Sequence, residues 1–103
     1  MIYFVYILKC SDEKYYTGLT KNINNRIHQH INGEVTSTKH RRPLKLIYFE
    51  ACLDQKDALK REKYFKTHYG KMFLKSLPEC KITSDIEEID KFFSKIKLHT
   101  VFT

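Results

Sequence analysis

An α+β fold, built on a small and mostly antiparallel three-stranded sheet, follows from three observations on the 103-residue chain. Three apolar, β-prone runs lie at residues 2–10, 14–20 and 44–53, the first two separated by one turn. Two helix-patterned segments, 22–33 and 54–69, fall after the second and third runs in the order β-β-α-β-α, and a further helix closes the chain. No repeat or linker divides the sequence, so one domain with one modest core is expected.

Taken in order, "IYFVYILKC" is a nearly continuous apolar and aromatic run that predicts a buried strand. "SDEK" turns the chain, and "KYYTGLT" returns as the second strand of a hairpin, with Gly18 marking a bend or a close backbone approach. "NINNRIHQHINGE" reads as a helix capped by Asn22, with Ile23, Ile27 and Ile31 on one face and Gly33 as its stop. "EVTSTKHRRP" is a polar, basic loop, and "LKLIYFEACL" is the third strand. Asp54 caps a helix over "QKDALKREKYFKTHY" that Gly70 interrupts, with one or two further turns in "KMFLKSL" before Pro78. Ser84 to Glu87 forms a capping-box pattern, followed by Ile86, Ile89, Phe93 and Ile96 at helical spacing. We therefore expect a domain over 1–80 and a helical extension over 81–103 that covers core surface.

Charge narrows the function classes. Lys plus Arg is 19 against 12 Asp plus Glu, a net charge of +7. Four of each sign lie beyond residue 80, so the whole surplus belongs to the first 80 residues. A polyanion is the natural partner for such a field. Apolar residues make up 42% of the chain, which excludes a disordered polyelectrolyte. No apolar run approaches the roughly 18 residues of a membrane helix, so no membrane association is expected. Cys10, Cys52 and Cys80 show neither C-x-x-C nor Cys/His zinc spacing. With no basic leader or small-residue cleavage site, they read as reduced thiols of a cytoplasmic protein.

Three polar placements resist a pure packing account. Arg26 and His30 form an i, i+4 pair about 100° from the isoleucine stripe, on the border between core and solvent, where a surface pair or a site serves equally well. Glu62 lies i+4 from Ala58, i+3 from Leu59 and i−3 from Phe65, on the face expected to be buried, with Tyr69 continuing that line. A buried carboxylate needs a cation, and both Arg26 and a single magnesium ion suit it. Tyr3, Tyr6, Tyr15 and Tyr16 crowd two adjacent strands, and a buried phenol wants a hydrogen-bond partner.

Together, Phe4–Leu8, Tyr16–Gly18, Arg26 with His30, Arg42–Tyr48 and Arg61–Lys63 resemble the GIY-YIG nuclease superfamily, in particular its small stand-alone bacterial members. The likeness covers about residues 2–77. It implies hydrolysis of DNA phosphodiester bonds with one divalent metal ion, Mg²⁺ or Mn²⁺. It places Tyr6 and Tyr16 at the two motif tyrosines, Arg26 and His30 on the active-site helix, and Glu62 as the metal ligand. Tyr6, Tyr16 and His30 all remain candidates for the base, a phenolate being favoured beside a metal and an arginine. Phe4 and Val5 precede Tyr6 where the name motif has glycine and isoleucine. Leu19 stands where some members have lysine, and a late asparagine is missing, which implies a minimal, slow site. Lys39, His40, Arg41 and Arg42, with Lys60, Lys63 and Lys66, are expected to hold the nucleic-acid backbone. Without an attached specificity module, a structure- or single-strand-selective endonuclease of DNA repair, recombination or uptake is expected. The rivals are a catalytically idle nucleic-acid-binding module on the same scaffold and a protein-interaction role for the Phe92/Phe93 tail.

Overall fold

Strand β1 (Tyr3–Lys9) runs between β2 (Tyr15–Thr20) and β3 (Lys45–Cys52), antiparallel to both, in a sheet of order β2-β1-β3. The computed structural model describes residues 1–78 and 85–101, with side chains as far as Lys95. The central position explains why β1 is apolar as far as Leu8: both of its faces are covered. On one face Tyr6, Leu8 and Cys10 pack with Ile23 and Ile27 of α1 (Ile23–Ile31) and with Ile89 and Phe93 of α4 (Ile86–Val101). On the other, Val5 and Ile7 pack with Ala58 and Phe65 of α2 (Gln55–Phe65) and Leu74 of α3 (His68–Ser76). The expected α+β class and strand assignments hold, and every pairing is antiparallel. Opposite Ile7 and Leu8 of β1 the register on β3 passes from Tyr48 to Leu46, leaving Ile47 as a bulge in the third strand.

Caps set the helix ends. The Asn22 side chain accepts from Asn25 N at 3.2 Å, and Gly33 ends α1 at φ +77°, a conformation that favours glycine. Asp54 accepts from Lys56 N at 2.8 Å to start α2. The second helical segment departs from expectation, because it breaks at Thr67 and Gly70 lies inside α3. The Thr67 hydroxyl donates to Tyr64 O at 2.6 Å and accepts from Gly70 N at 3.2 Å, capping a new helix. Gly70 serves close approach, since a Cβ there would lie 2.1 Å from the Tyr64 carbonyl oxygen. The break turns Tyr69 outward, 73% exposed, and Leu59 is 40% exposed, so the buried line of α2 comprises Ala58 and Phe65. Arg61, between them in sequence, pairs with Glu50 at 2.6 Å and lies over the Tyr64 and Phe65 rings.

The basic loop is more ordered than a polar sequence suggests. Val35 and Thr38 are buried in it, and Lys39–Arg41 form a 3-10 turn before a cis Arg42–Pro43 bond. At α4, Asp85 accepts from Glu87 N at 3.0 Å, and Ile89 and Phe93 are buried as their spacing predicts. The Ser84 cap, Cys80 and the Ile96 side chain lie outside the described residues. Cys10 and Cys52 are free thiols, both raised by burial. Among the described residues, no helix is long and apolar enough to cross a membrane.

Candidate active site

Gly18 and Tyr6 are register partners, and the Tyr6 ring lies across the glycine. A Cβ on Gly18 would sit 2.3 Å from Tyr6 Cζ and Oη, so only glycine leaves room for this ring. Tyr6 is thereby aimed along the sheet toward α1, where its hydroxyl meets His30 Nε2 at 2.7 Å. His30 Nδ1 in turn meets Thr38 Oγ1 at 2.8 Å, and His30 and Thr38 are both 0% exposed. The Tyr16 ring closes the cluster, 5.1 Å from the His30 ring and 6.3 Å from that of Tyr6. Arg26, one turn before His30, donates from Nη1 to Gln29 Oε1 at 3.1 Å and directs its charge at both phenols. The expectation that His30 emerges at the solvent border is corrected: Tyr6, Tyr16 and the folded-over Thr38 enclose it. Thr38 carries no sequence signal beyond its place in a polar loop.

Burial dominates the electrostatics of this cluster. Desolvation pushes the Tyr6 phenol up to about 12, although Arg26 pulls the other way. Desolvation and then the Arg26 charge push the His30 imidazole down to about 4. Both groups are neutral at pH 7 in the free protein. The hydrogen bond between them joins a phenol to a neutral imidazole.

Glu62 does not pair with Arg26. It is half-buried on α2, across the sheet from the Tyr6 ring, and among the described residues it makes no hydrogen bond or ion pair. It lines a cleft of about 300 Å³ with Tyr15, Tyr16, Thr17, Lys66 and Lys71. Tyr16 therefore belongs to both halves, since it sits on the edge strand β2 between the His30 cluster and the Glu62 cleft. No group of three or more His, Cys, Asp or Glu among the described residues forms a metal cage. A single open carboxylate still suits a hard cation that keeps its waters.

The basic residues divide by geometry. Lys66 lines the Glu62 cleft together with Lys71, which no sequence motif marks. Lys60 and Lys63 are exposed on α2. Lys39 and Arg42 line a second groove of about 470 Å³, and His40 is exposed beside it in sequence. Arg41 is held by Asp12 at 3.1 Å, which keeps that carboxyl below its usual range. Arg42 folds back onto Lys39 O at 3.0 Å and packs over Gly33. These two arginines thus serve the loop's own structure as well as its charge.

Comparison with known proteins places the chain. The sequence profile of the GIY-YIG catalytic domain matches residues 2–75. A UPF0213 protein of Staphylococcus epidermidis is 44% identical over 78 residues, 75% of this chain and 95% of its own length. A UPF0213 protein of Staphylococcus aureus is 42% identical with the same coverage. The solution NMR structure of the UPF0213 protein BH0048 from Bacillus halodurans is 33% identical, with 74% of this chain and 84% of that one covered and a TM-score of 0.49. By the extent of the profile match and the identity of the two staphylococcal relatives, the chain belongs to the GIY-YIG family of nuclease-type catalytic domains, among its small UPF0213 members.

Proposed function

We propose that the protein is a metal-dependent endonuclease that hydrolyses phosphodiester bonds of DNA, with structure or single-strand selectivity. The observation that carries this reading is the Tyr6–His30 hydrogen bond, enclosed by Tyr16 and faced by Arg26, beside a cleft with an unpaired carboxylate. In this reading a phosphate lies over the β2 edge between Arg26 and Glu62. Arg26 stabilises the negative charge that grows on the phosphoryl oxygens as water attacks. The water proton passes to Tyr6 Oη while the Tyr6 proton moves to His30 Nε2. A phosphate at Arg26 also balances the charge that depresses the imidazole, so substrate binding makes His30 a better acceptor. Tyr16 orients an oxygen of the same phosphate.

Glu62 would hold Mg²⁺ or Mn²⁺ through a carboxylate oxygen, and the ion, when bound, supplies Lewis-acid stabilisation of the leaving oxygen. Lys66 and Lys71 line the cleft as backbone contacts, joined by the charge of Lys60, Lys63 and the Lys39–Arg42 turn. Backbone contacts carry no sequence information, which favours selection by DNA structure. Residues 1–80 carry the chemistry and 81–103 add a covering helix. The free thiols suit a cytoplasmic role in repair, recombination or uptake.

Glu62→Gln tests the assignment. With no ion pair to lose, its stability is expected to change by no more than about 0.5 kcal/mol. Cleavage of single-stranded, duplex or branched DNA with Mg²⁺ or Mn²⁺ is expected to fall by orders of magnitude, while affinity holds or rises. A parent protein that binds DNA but cleaves none of these substrates would establish the idle binding module instead.

A further inference from the structure

The Thr38 hydroxyl meets His30 in a place that no catalytic motif reaches. Both imidazole nitrogens are engaged from opposite sides, Nε2 by Tyr6 at 2.7 Å and Nδ1 by Thr38 at 2.8 Å. His30 and Thr38 are fully enclosed and Tyr6 is 1% exposed, so bulk water does not substitute for either bond. A neutral imidazole carries one N–H, so the two hydrogen bonds have linked directions. If Nε2 carries the proton, Tyr6 must accept from His30. If Nδ1 carries it, Tyr6 donates to His30.

The acidity of the two hydroxyls distinguishes these directions. A phenol is a much stronger acid than an alkyl hydroxyl, so Tyr6 is the better donor to an imidazole nitrogen and the Thr38 oxygen the better acceptor from an imidazole N–H. With the phenol donating to Nε2, the single imidazole proton sits on Nδ1, and Thr38 Oγ1 at 2.8 Å is placed to accept it. Thr38 is itself rigid, since its N–H donates to Val35 O at 3.1 Å and its carbonyl accepts from Arg41 N at 2.9 Å.

We propose that Thr38 is a positioning residue of this site: its hydroxyl oxygen accepts from His30 Nδ1–H and holds the imidazole in the tautomer that presents Nε2 to Tyr6. The effect on cleavage rests on the nuclease reading, whereas the tautomer does not. By its carbonyl bond to Arg41, the same residue ties this orientation to the basic turn that follows it.

Imidazole ¹⁵N chemical shifts of the folded full-length protein at pH 7 read the tautomer directly. The parent is expected to show a protonated Nδ1 and an unprotonated Nε2 at His30. Thr38→Val removes the acceptor with little change of shape and is expected to shift His30 toward the Nε2–H form. Thr38→Ser is expected to retain the parent pattern. In cleavage, Thr38→Val is expected to lower kcat by about tenfold or more with KM little changed, part of the roughly 10²–10⁴ that a positioned acid–base group supplies. Thr38→Ser is expected to restore it. A parent His30 protonated at Nε2, or a Thr38→Val spectrum with the parent tautomer, would overturn the proposal. The parent spectrum needs no variant, so the test stands if Thr38→Val does not fold. Absence of cleavage by the parent would sink the nuclease reading while the spectra still decide the role of Thr38.

Discussion

His30 shows how far a single side chain's environment can depart from its place on a helix. Its i, i+4 relation to Arg26 predicts a border position, yet the ring is buried and its pKa lowered to about 4 by desolvation and the Arg26 charge. This has a consequence for stability. Between about pH 6.5 and 4 the unfolded chain binds a proton at this histidine that the folded chain does not. Folding stability therefore falls as pH drops through that window, by up to on the order of 3 kcal/mol from this residue, and is unaffected by it above pH 6.5. His30→Gln lacks the titration, so its melting temperature is expected to fall less steeply from pH 7 to 4. The other titrating groups remain in both proteins and cancel in the comparison. Parallel melting curves for parent and variant would show that His30 is not held neutral.

At the scale of elements, the helices differ in how directly their sequence determines them. Local chemistry defines α1, with an Asn22 cap, an isoleucine stripe and a left-handed Gly33. The break between α2 and α3 depends on Thr67 bonding back to Tyr64, which a search for glycine or proline stops overlooks. Helix α4 is amphipathic by pattern, and its partner surface is set by the fold: Ile89 and Phe93 join the cluster that contains Tyr6, Leu46 and Ile27. Phe93→Ala is expected to cost about 3–5 kcal/mol, as for a buried phenylalanine. Cleavage per folded molecule, measured well below the variant's melting temperature, is expected to stay within a few-fold of the parent. A variant of unchanged stability would show that α4 does not cover the core, and one that stays folded but loses DNA binding would give the helix a substrate role.

For the whole molecule, the +7 charge sets the long-range field while the fold selects which cations reach a ligand. If backbone contacts dominate, log K for DNA is expected to fall with log salt at a slope of about −3 to −5, for some four to six phosphate contacts. Lys66→Ala and Lys71→Ala, beside Glu62, are each expected to flatten that slope by about 1 without changing sequence preference. Arg41→Ala is expected to act less cleanly, because Arg41 already pairs with Asp12. An affinity independent of salt would contradict backbone binding.

The sequence by itself determined the strand and helix order, the caps of α1 and α2, the basic surplus and the residues Tyr6, Tyr16, Arg26, His30 and Glu62 as a set worth testing. Those features follow from short-range periodicity, local hydrogen bonds and motif order, all of which are written along the chain. The enclosure of His30, the neutral Tyr6 phenol, the Thr38 contact and the entry of Lys71 into the Glu62 cleft were decided only by tertiary structure. Each depends on residues far apart in sequence meeting in space, as Tyr6 and His30 do across 24 positions. Desolvation, which sets their protonation, is a property of the packed neighbourhood and has no local sequence signature.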